Sequence, residues 1–276
     1  MTSPLAVPNR AVIEALDWQL MRDQLDWLNR LAMDDLLKLI RAAQMLDNAE
    51  DSRQYIMQGL HDLVLTYGGS AEDMTVEWLT MMMDDPSSFV VPPRKDAYVQ
   101  LTKQVRWGTA PMVTGKGDMT QRLAGILQRH IFGAQRDTVD IMARQRKIGY
   151  QRIARADACA FCRVLAGRDA VYGSVARAQY VGMGGVQKHY SNGKERGERF
   201  TKGRVRGLRK AGQTYHDHCR CITAPLIPGK KLEYPDYQDK FDEEYQRAAL
   251  KVQREGKTLS MQDVTRIMRE QQPGVR

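Results

Sequence analysis

The sequence predicts an α+β chain that is predominantly α-helical: an N-terminal helical region, a small mixed α/β segment resembling a zinc knuckle, and C-terminal helices. Three observations carry this expectation. Long stretches repeat apolar residues at spacings of three and four, as a helix with one buried face does. Prolines are sparse, and three of the 10 fall together in "DDPSSFVVPP" at 84–93. All four cysteines lie in two tight pairs, Cys159/Cys162 and Cys219/Cys221, inside one stretch that lacks long helical periodicity.

The elements follow in order. Asn9 can cap a first long helix whose apolar positions (Ile13, Leu16, Leu20, Trp27, Leu28, Leu31, Leu36, Leu39, Ile40) form one buried stripe. Asp51 or Ser52 caps a second helix through Ile56, Leu60, Leu63, Val64 and Tyr67. Gly68-Gly69 is expected to end it, since glycine takes the left-handed cap conformation without a Cβ clash. Ser70 and Asp73, spaced like a capping box, would open a third helix through Met74, Trp78 and Met82. The prolines at 84–93 remove backbone donors and mark a boundary between an acidic helical region, 1–91, and the remainder. A basic helical region, 92–147, holds helices at about 94–107 and 118–147. The second is Arg-rich, and its arginine face reads equally as solvated surface or as a binding face.

Segment 148–228 holds the cysteines. "GYQRIA" reads as a short strand, "ACAFC" as a knuckle turn leading into a short helix, and "TYHDHCRCITAPLIP" as a strand that returns and stops at Pro225. Between them lies a glycine-rich arm, 182–212, read as a surface loop or an extended β-hairpin. The tail, 229–276, carries a helix at about 236–255 and a last helix capped by Thr258 or Ser260.

Charge divides the chain. Residues 1–91 hold 15 acidic and 6 basic side chains, a net of −9, and residues 92–276 hold 18 acidic and 36 basic, a net of +18. The acidic part suits a protein partner, and the basic part suits nucleic acid or an acidic protein. The arm is the most basic stretch: Lys188, Lys194, Arg196, Arg199, Lys202, Arg204, Arg206, Arg209 and Lys210 against two glutamates. These nine are the candidate contacts to DNA phosphates or to a partner protein, with Tyr190 and Phe200 interleaved. No run of apolar residues is long enough to span a membrane, and no basic-then-apolar leader opens the sequence. The expected compartment is therefore the reducing cytoplasm, where closely spaced cysteines read as metal ligands before disulfides.

"YHDHCRC" at 215–221 concentrates the chemistry. A tetrahedral zinc needs four soft or borderline ligands, and a CxxC turn aims two sulfurs at one point. In an extended CxC the two cysteines share a face and the residue between them points away. The candidate ligands are Cys159, Cys162, His216, Cys219 and Cys221. Spacing leaves open four thiolates, or three with His216, and also leaves open a disulfide or plain reduced thiols. A structural Zn2+ is the expectation. No HExxH, GxSxG, Walker loop or dinucleotide fingerprint occurs, so neither enzymatic activity nor a small-molecule substrate is expected.

"CAFCRVLAG" followed by "YHDHCRCITAP" resembles the phage Mu F-like head morphogenesis family, which pairs a CxxC with a terminal HxxCxC followed by proline. Within it the chain is similar to minor capsid proteins of tailed phages that infect actinobacteria, including the "VRW" at Val105–Trp107 and "GYQRIA". The resemblance spans roughly 60–228 and is strongest over 149–225. It implies a minor structural protein of the phage head, assembled in the host cytoplasm and resident in the head interior near the portal. The implied partners are the portal or major capsid protein, with packaged double-stranded DNA as a further contact. The arm at 182–212 departs from the family in its length. Two other readings compete. One is a metal-dependent nuclease of the HNH type, built on Asp217–His218, though no histidine follows His218 to complete it. The other is a free nucleic-acid-binding zinc module.

Overall fold

The computed structural model describes residues 12–83, 97–166, 186–191, 194–200, 219–257 and 259–271. Helices dominate: α1 (Ala15–Gln44), α2 (Ala49–Met82), α3 (Ala97–Gly108), α4 (Pro111–Thr114), α5 (Met119–Arg146), α6 (Ala160–Ala166), α7 (Tyr237–Arg254) and α8 (Met261–Gln271). Strands β1 (Val12–Ile13), β2 (Tyr150–Ile153), β3 (Val186–Ser191), β4 (Lys194–Phe200), β5 (Ile222–Pro225) and β6 (Lys231–Leu232) form three separate two-stranded ribbons. The predominantly helical α+β class expected from the sequence is the class observed.

Long helix α1 buries Trp18, Met21, Leu25, Leu28, Ala32, Leu36, Ile40 and Ala43, each three or four residues after the last. The expected stripe mixed two faces. Leu16, Leu20, Trp27 and Leu31 lie on the solvent side of α1, because this helix is apolar on both faces and hydropathy alone does not say which one is covered. The helix opens later than expected. Ile13 is held in a parallel pair with Leu232, and the Glu14 N–H is capped by the Asp17 carboxylate at 3.0 Å. Asn9 lies outside the described residues.

Helix α2 corrects the sequence reading more sharply. It begins at an Asn48 cap, whose side chain accepts the Asp51 N–H at 2.8 Å, and runs unbroken through Gly68 and Gly69. No third helix starts at Ser70, whose hydroxyl donates back to the Thr66 carbonyl at 2.9 Å, as a mid-helix serine does. Val64, Ala71, Trp78 and Leu79 on both sides of the glycine pair enter one core. That shared burial outweighs two glycines, each costing about 1 kcal/mol in a helix interior. Gly59 has a different reason to be glycine: a Cβ there would run into the Leu39 side chain of α1.

Helix α5 is the central element. It is packed by α1, α2 and α3 and carries the β2–β5 ribbon on its remaining side. So enclosed, it buries Gln128, Gln135, Arg136 and Thr138 as well as its apolar residues, and Arg136 is not part of a solvated arginine face. Trp18 and Trp78 meet edge-to-face at 5.0 Å in this core, and the Trp18 indole donates to the Glu233 carbonyl at 2.9 Å. The Tyr67 hydroxyl donates to Asp35 at 2.6 Å, joining α2 to α1. A second apolar cluster joins α6 to α7 and α8 through Ala160, Val164, Ala248, Val252, Val264 and Ile267. Ser260 caps α8 by accepting the Asp263 N–H at 3.0 Å, as its spacing predicts. Among the described residues, no helix is long and apolar enough to cross a membrane.

Candidate metal centre

The expected strand, knuckle and short helix all form. β2 pairs antiparallel with β5 in the register Tyr150↔Pro225 to Ile153↔Ile222. Beyond Ile153 the chain turns, and α6 starts when the Arg163 N–H bonds the Cys159 carbonyl at 3.0 Å. The Cys162 N–H also points at the Cys159 sulfur, 3.5 Å away. On the return strand, Cys219 and Cys221 immediately precede β5. Both are buried, whereas Arg220 between them faces the other way and pairs with Asp26 of α1 at 3.2 Å. The alternation expected of an extended CxC therefore holds.

The sulfurs of Cys162, Cys219 and Cys221 lie within 4.8 Å of one another, and all three residues are at most 3% exposed. Cys162 and Cys219 are in direct contact, Sγ to Sγ 3.5 Å. Cys159 stands at the edge of this mutual set and is half-buried. Ala154, Ala166 and Phe241 wall the cluster. Tetrahedral zinc thiolate has Zn–S distances of about 2.3 Å, hence sulfur-to-sulfur edges of about 3.8 Å. The observed spacings bracket that edge, so the donor set fits a soft or borderline divalent ion. His216 and His218 lie outside the described residues.

The thiols do not titrate alike. Contact with Cys159, then with Cys219 and Cys221, drives the Cys162 thiol far above the usual range. Cys219 is held far below it, by its contacts with Cys162 and Cys221, and with the Arg136 and Arg152 guanidiniums adding to the effect. Cys221 is pushed up to about 12: its contact with Cys162 acts to lower it, but its contact with Cys219 and its burial prevail. Mutual contact and burial thus set the three thiols apart in acidity. A divalent ion would displace the remaining protons.

Arginines lock this centre to the rest of the molecule, a feature that periodicity could not reveal. Arg22 of α1, 4% exposed, donates to the Ile153 and Ala154 carbonyls at 3.4 and 3.1 Å and to the Tyr237 hydroxyl at 2.9 Å. Arg136 of α5 donates to the Cys221 carbonyl at 2.9 Å. Gln135, one residue earlier, acts as a surrogate strand for β5: it donates to the Thr223 carbonyl at 2.7 Å and accepts the Thr223 N–H at 3.0 Å. Arg163 of α6 pairs with Glu244 of α7 at 3.1 Å, donates to the Ala156 and Ala158 carbonyls, and lies 5.0 Å above the Phe241 ring. Asp26 pairs with Arg155 at 3.3 Å as well as with Arg220.

The basic arm is seen only in part. β3 and β4 form an antiparallel hairpin in which Lys188 lies opposite Glu198 and Ser191 opposite Lys194, so an extended β-hairpin is the form adopted here. Arg196 and Arg199 fall on β4. Lys202, Arg204, Arg206, Arg209 and Lys210 lie outside the described residues.

No curated protein and no solved structure matches the chain. A protein-family profile described as "VG15 protein" matches residues 12–248, from β1 through most of α7 and across the whole cysteine centre. By that match the chain belongs to the VG15 protein family, a phage-derived family.

Proposed function

We propose that this chain is a minor, non-enzymatic structural protein of a tailed-phage head, similar to the Mu F-like proteins, acting in head morphogenesis at or near the portal. The observation that carries the reading is the character of the cysteine centre within a phage family. Its three mutually close thiols are sealed from solvent, and the carboxylates next to its loops, Asp26 and Glu244, are engaged by arginines. A hydrolytic metal site needs an open coordination position and a base beside it. A sealed centre tied by arginines to α1, α5 and α7 suits a scaffold, and we read it as a structural zinc site that fixes the β2–α6–β5 unit onto the helices.

Two surfaces suit assembly. Leu16, Leu20, Trp27 and Leu31, between 38% and 60% exposed, make an apolar stripe along α1 in the acidic 1–91 region, which suits a protein partner such as the portal or major capsid protein. The basic hairpin arm suits packaged DNA or an acidic face of the portal. Co-expression with the cognate portal protein tests the reading. The intact chain is expected to co-elute with portal rings, and Leu20→Glu/Trp27→Glu is expected to elute alone while keeping its helical circular dichroism. Failure of the intact chain to associate, or nicking of plasmid DNA in magnesium or manganese by pure protein, would contradict it.

A further inference from the structure

We propose that the turn from α3 through α4 into α5 binds an unpaired nucleotide of single-stranded DNA, its base stacked on Trp107 and its phosphates met by Arg106 and Lys116. The surface is separate from the cysteine centre and from the hairpin arm, and it does not depend on the head-protein reading.

The turn is built around one guanidinium. Arg122, at the start of α5, reaches back to lie 4.8 Å from the centre of the Trp107 ring and donates to the Trp107 carbonyl at 3.1 Å. It also passes so close to Gly117 that a Cβ there would stand 2.7 Å from the guanidinium, and the φ of +95° at Gly117 independently favours glycine. Arg122 therefore fixes the indole and the loop at Gly117 side by side. The ring it orients is not buried: Trp107 is 47% exposed, and Val113 of α4 is 67% exposed. An indole held by a cation and left open to water is a ready stacking surface.

Charge selects the partner. Residues 101–122 carry four basic side chains, Lys103, Arg106, Lys116 and Arg122, and one acidic, Asp118. The Asp118 carboxylate is occupied at the start of α5, where it accepts the Gln121 N–H at 3.0 Å. The neighbouring Arg53 of α2, which reaches the Thr109 hydroxyl at 3.4 Å, brings its own Glu50 at 3.5 Å and adds no net charge. Arg106 directly precedes the indole, Lys116 directly precedes Gly117, and both are exposed. Among the described residues no carboxylate pairs with either, whereas Lys38, Arg220 and Arg266 on other faces are matched by aspartate or glutamate. Cations alone would suit any polyanion. Cations around an exposed aromatic ring suit a polyanion that also carries planar bases, and stacking requires a base that is not paired inside a duplex.

Fluorescence anisotropy of labelled oligodeoxythymidine, compared with the blunt duplex of the same length, tests this on pure full-length protein at low salt. The intact chain is expected to bind the single strand more tightly. Trp107→Ala should weaken single-strand binding about fivefold or more and leave the duplex unchanged, and Trp107→Phe should recover much of the loss. Arg106→Gln/Lys116→Gln should weaken single-strand binding and flatten the dependence of log affinity on log salt by about 1.4, two phosphates at about 0.7 each. The single-strand preference should survive replacement of Lys188, Lys194, Arg196 and Arg199 by glutamine, which separates this surface from the arm. An intact chain that does not bind the single strand, binding unchanged in Trp107→Ala, or a preference that vanishes with the arm's cations overturns the proposal. So does competition by polyglutamate as effective as by the oligonucleotide at equal charge, which would make the turn a seat for an acidic protein. None of these results bears on association with the portal, so the head-protein reading stands or falls separately.

Discussion

Arg22 shows how single side chains set this architecture. A cation 4% exposed on a long amphipathic helix is costly unless its donors are used, and here they reach the Ile153 and Ala154 carbonyls and the Tyr237 hydroxyl. Those carbonyls lie where β2 leads into the cysteine knuckle, so α1 holds the knuckle through this guanidinium as well as through Asp26. Arg22→Leu keeps the bulk but strips the donors. It is expected to destabilise the fold by about 1–3 kcal/mol, since the Ile153 carbonyl loses this donor while the Ala154 carbonyl keeps the Tyr237 hydroxyl. A urea-unfolding midpoint unchanged from the parent protein would show that these bonds carry no stability. At this scale the sequence was legible in its cysteines and opaque in its arginines. Cys162, Cys219 and Cys221 announce themselves by residue type and spacing. Arg22, Arg136 and Arg152 look like surface cations until the chain segments that enclose them are in place.

The elements were legible where local chemistry and burial agree. Asp118 accepts the Gln121 N–H at 3.0 Å and starts α5 where the sequence places it, and Ser260 does the same for α8. They were not legible where burial overrides propensity. Gly68-Gly69 has the composition of a helix end, but the core that α2 shares with α1 and α5 runs past it. This difference is measurable. A Cβ added at Gly68 or Gly69 would meet no other group, so Gly69→Ala is expected to stabilise the protein by roughly 0.5–1 kcal/mol, through the unfolded chain as much as the helix. Gly59→Ala, which must displace Leu39, is expected to lower stability. Thermal melts of the two variants should shift in opposite directions. A melt of Gly69→Ala that falls below the parent would mean that the glycine pair is needed where it sits. The apolar stripe on α1 marks the same boundary between local and global information. Trp27 and Leu31 have every sequence credential of a core residue and lie on the surface.

At the scale of the whole molecule, a helical layer of α1, α2, α3 and α5 carries a small cysteine-centred unit, and α7 with α8 packs behind α6. Hydrogen bonds from α1 and α5, together with an ion pair to α7, converge on that unit, which is how a segment with little apolar core of its own keeps its shape. The family match over residues 12–248 spans the helical layer and the cysteine-centred unit and ends within α7, before α8. In the proposed role the molecule is a working part of the phage particle. Quantitative mass spectrometry of gradient-purified virions tests it most directly. Peptides of this chain are expected in intact particles at a small fraction of the major capsid protein's abundance, retained through repeated gradient purification. Particles that are complete and infectious yet lack the chain would contradict it.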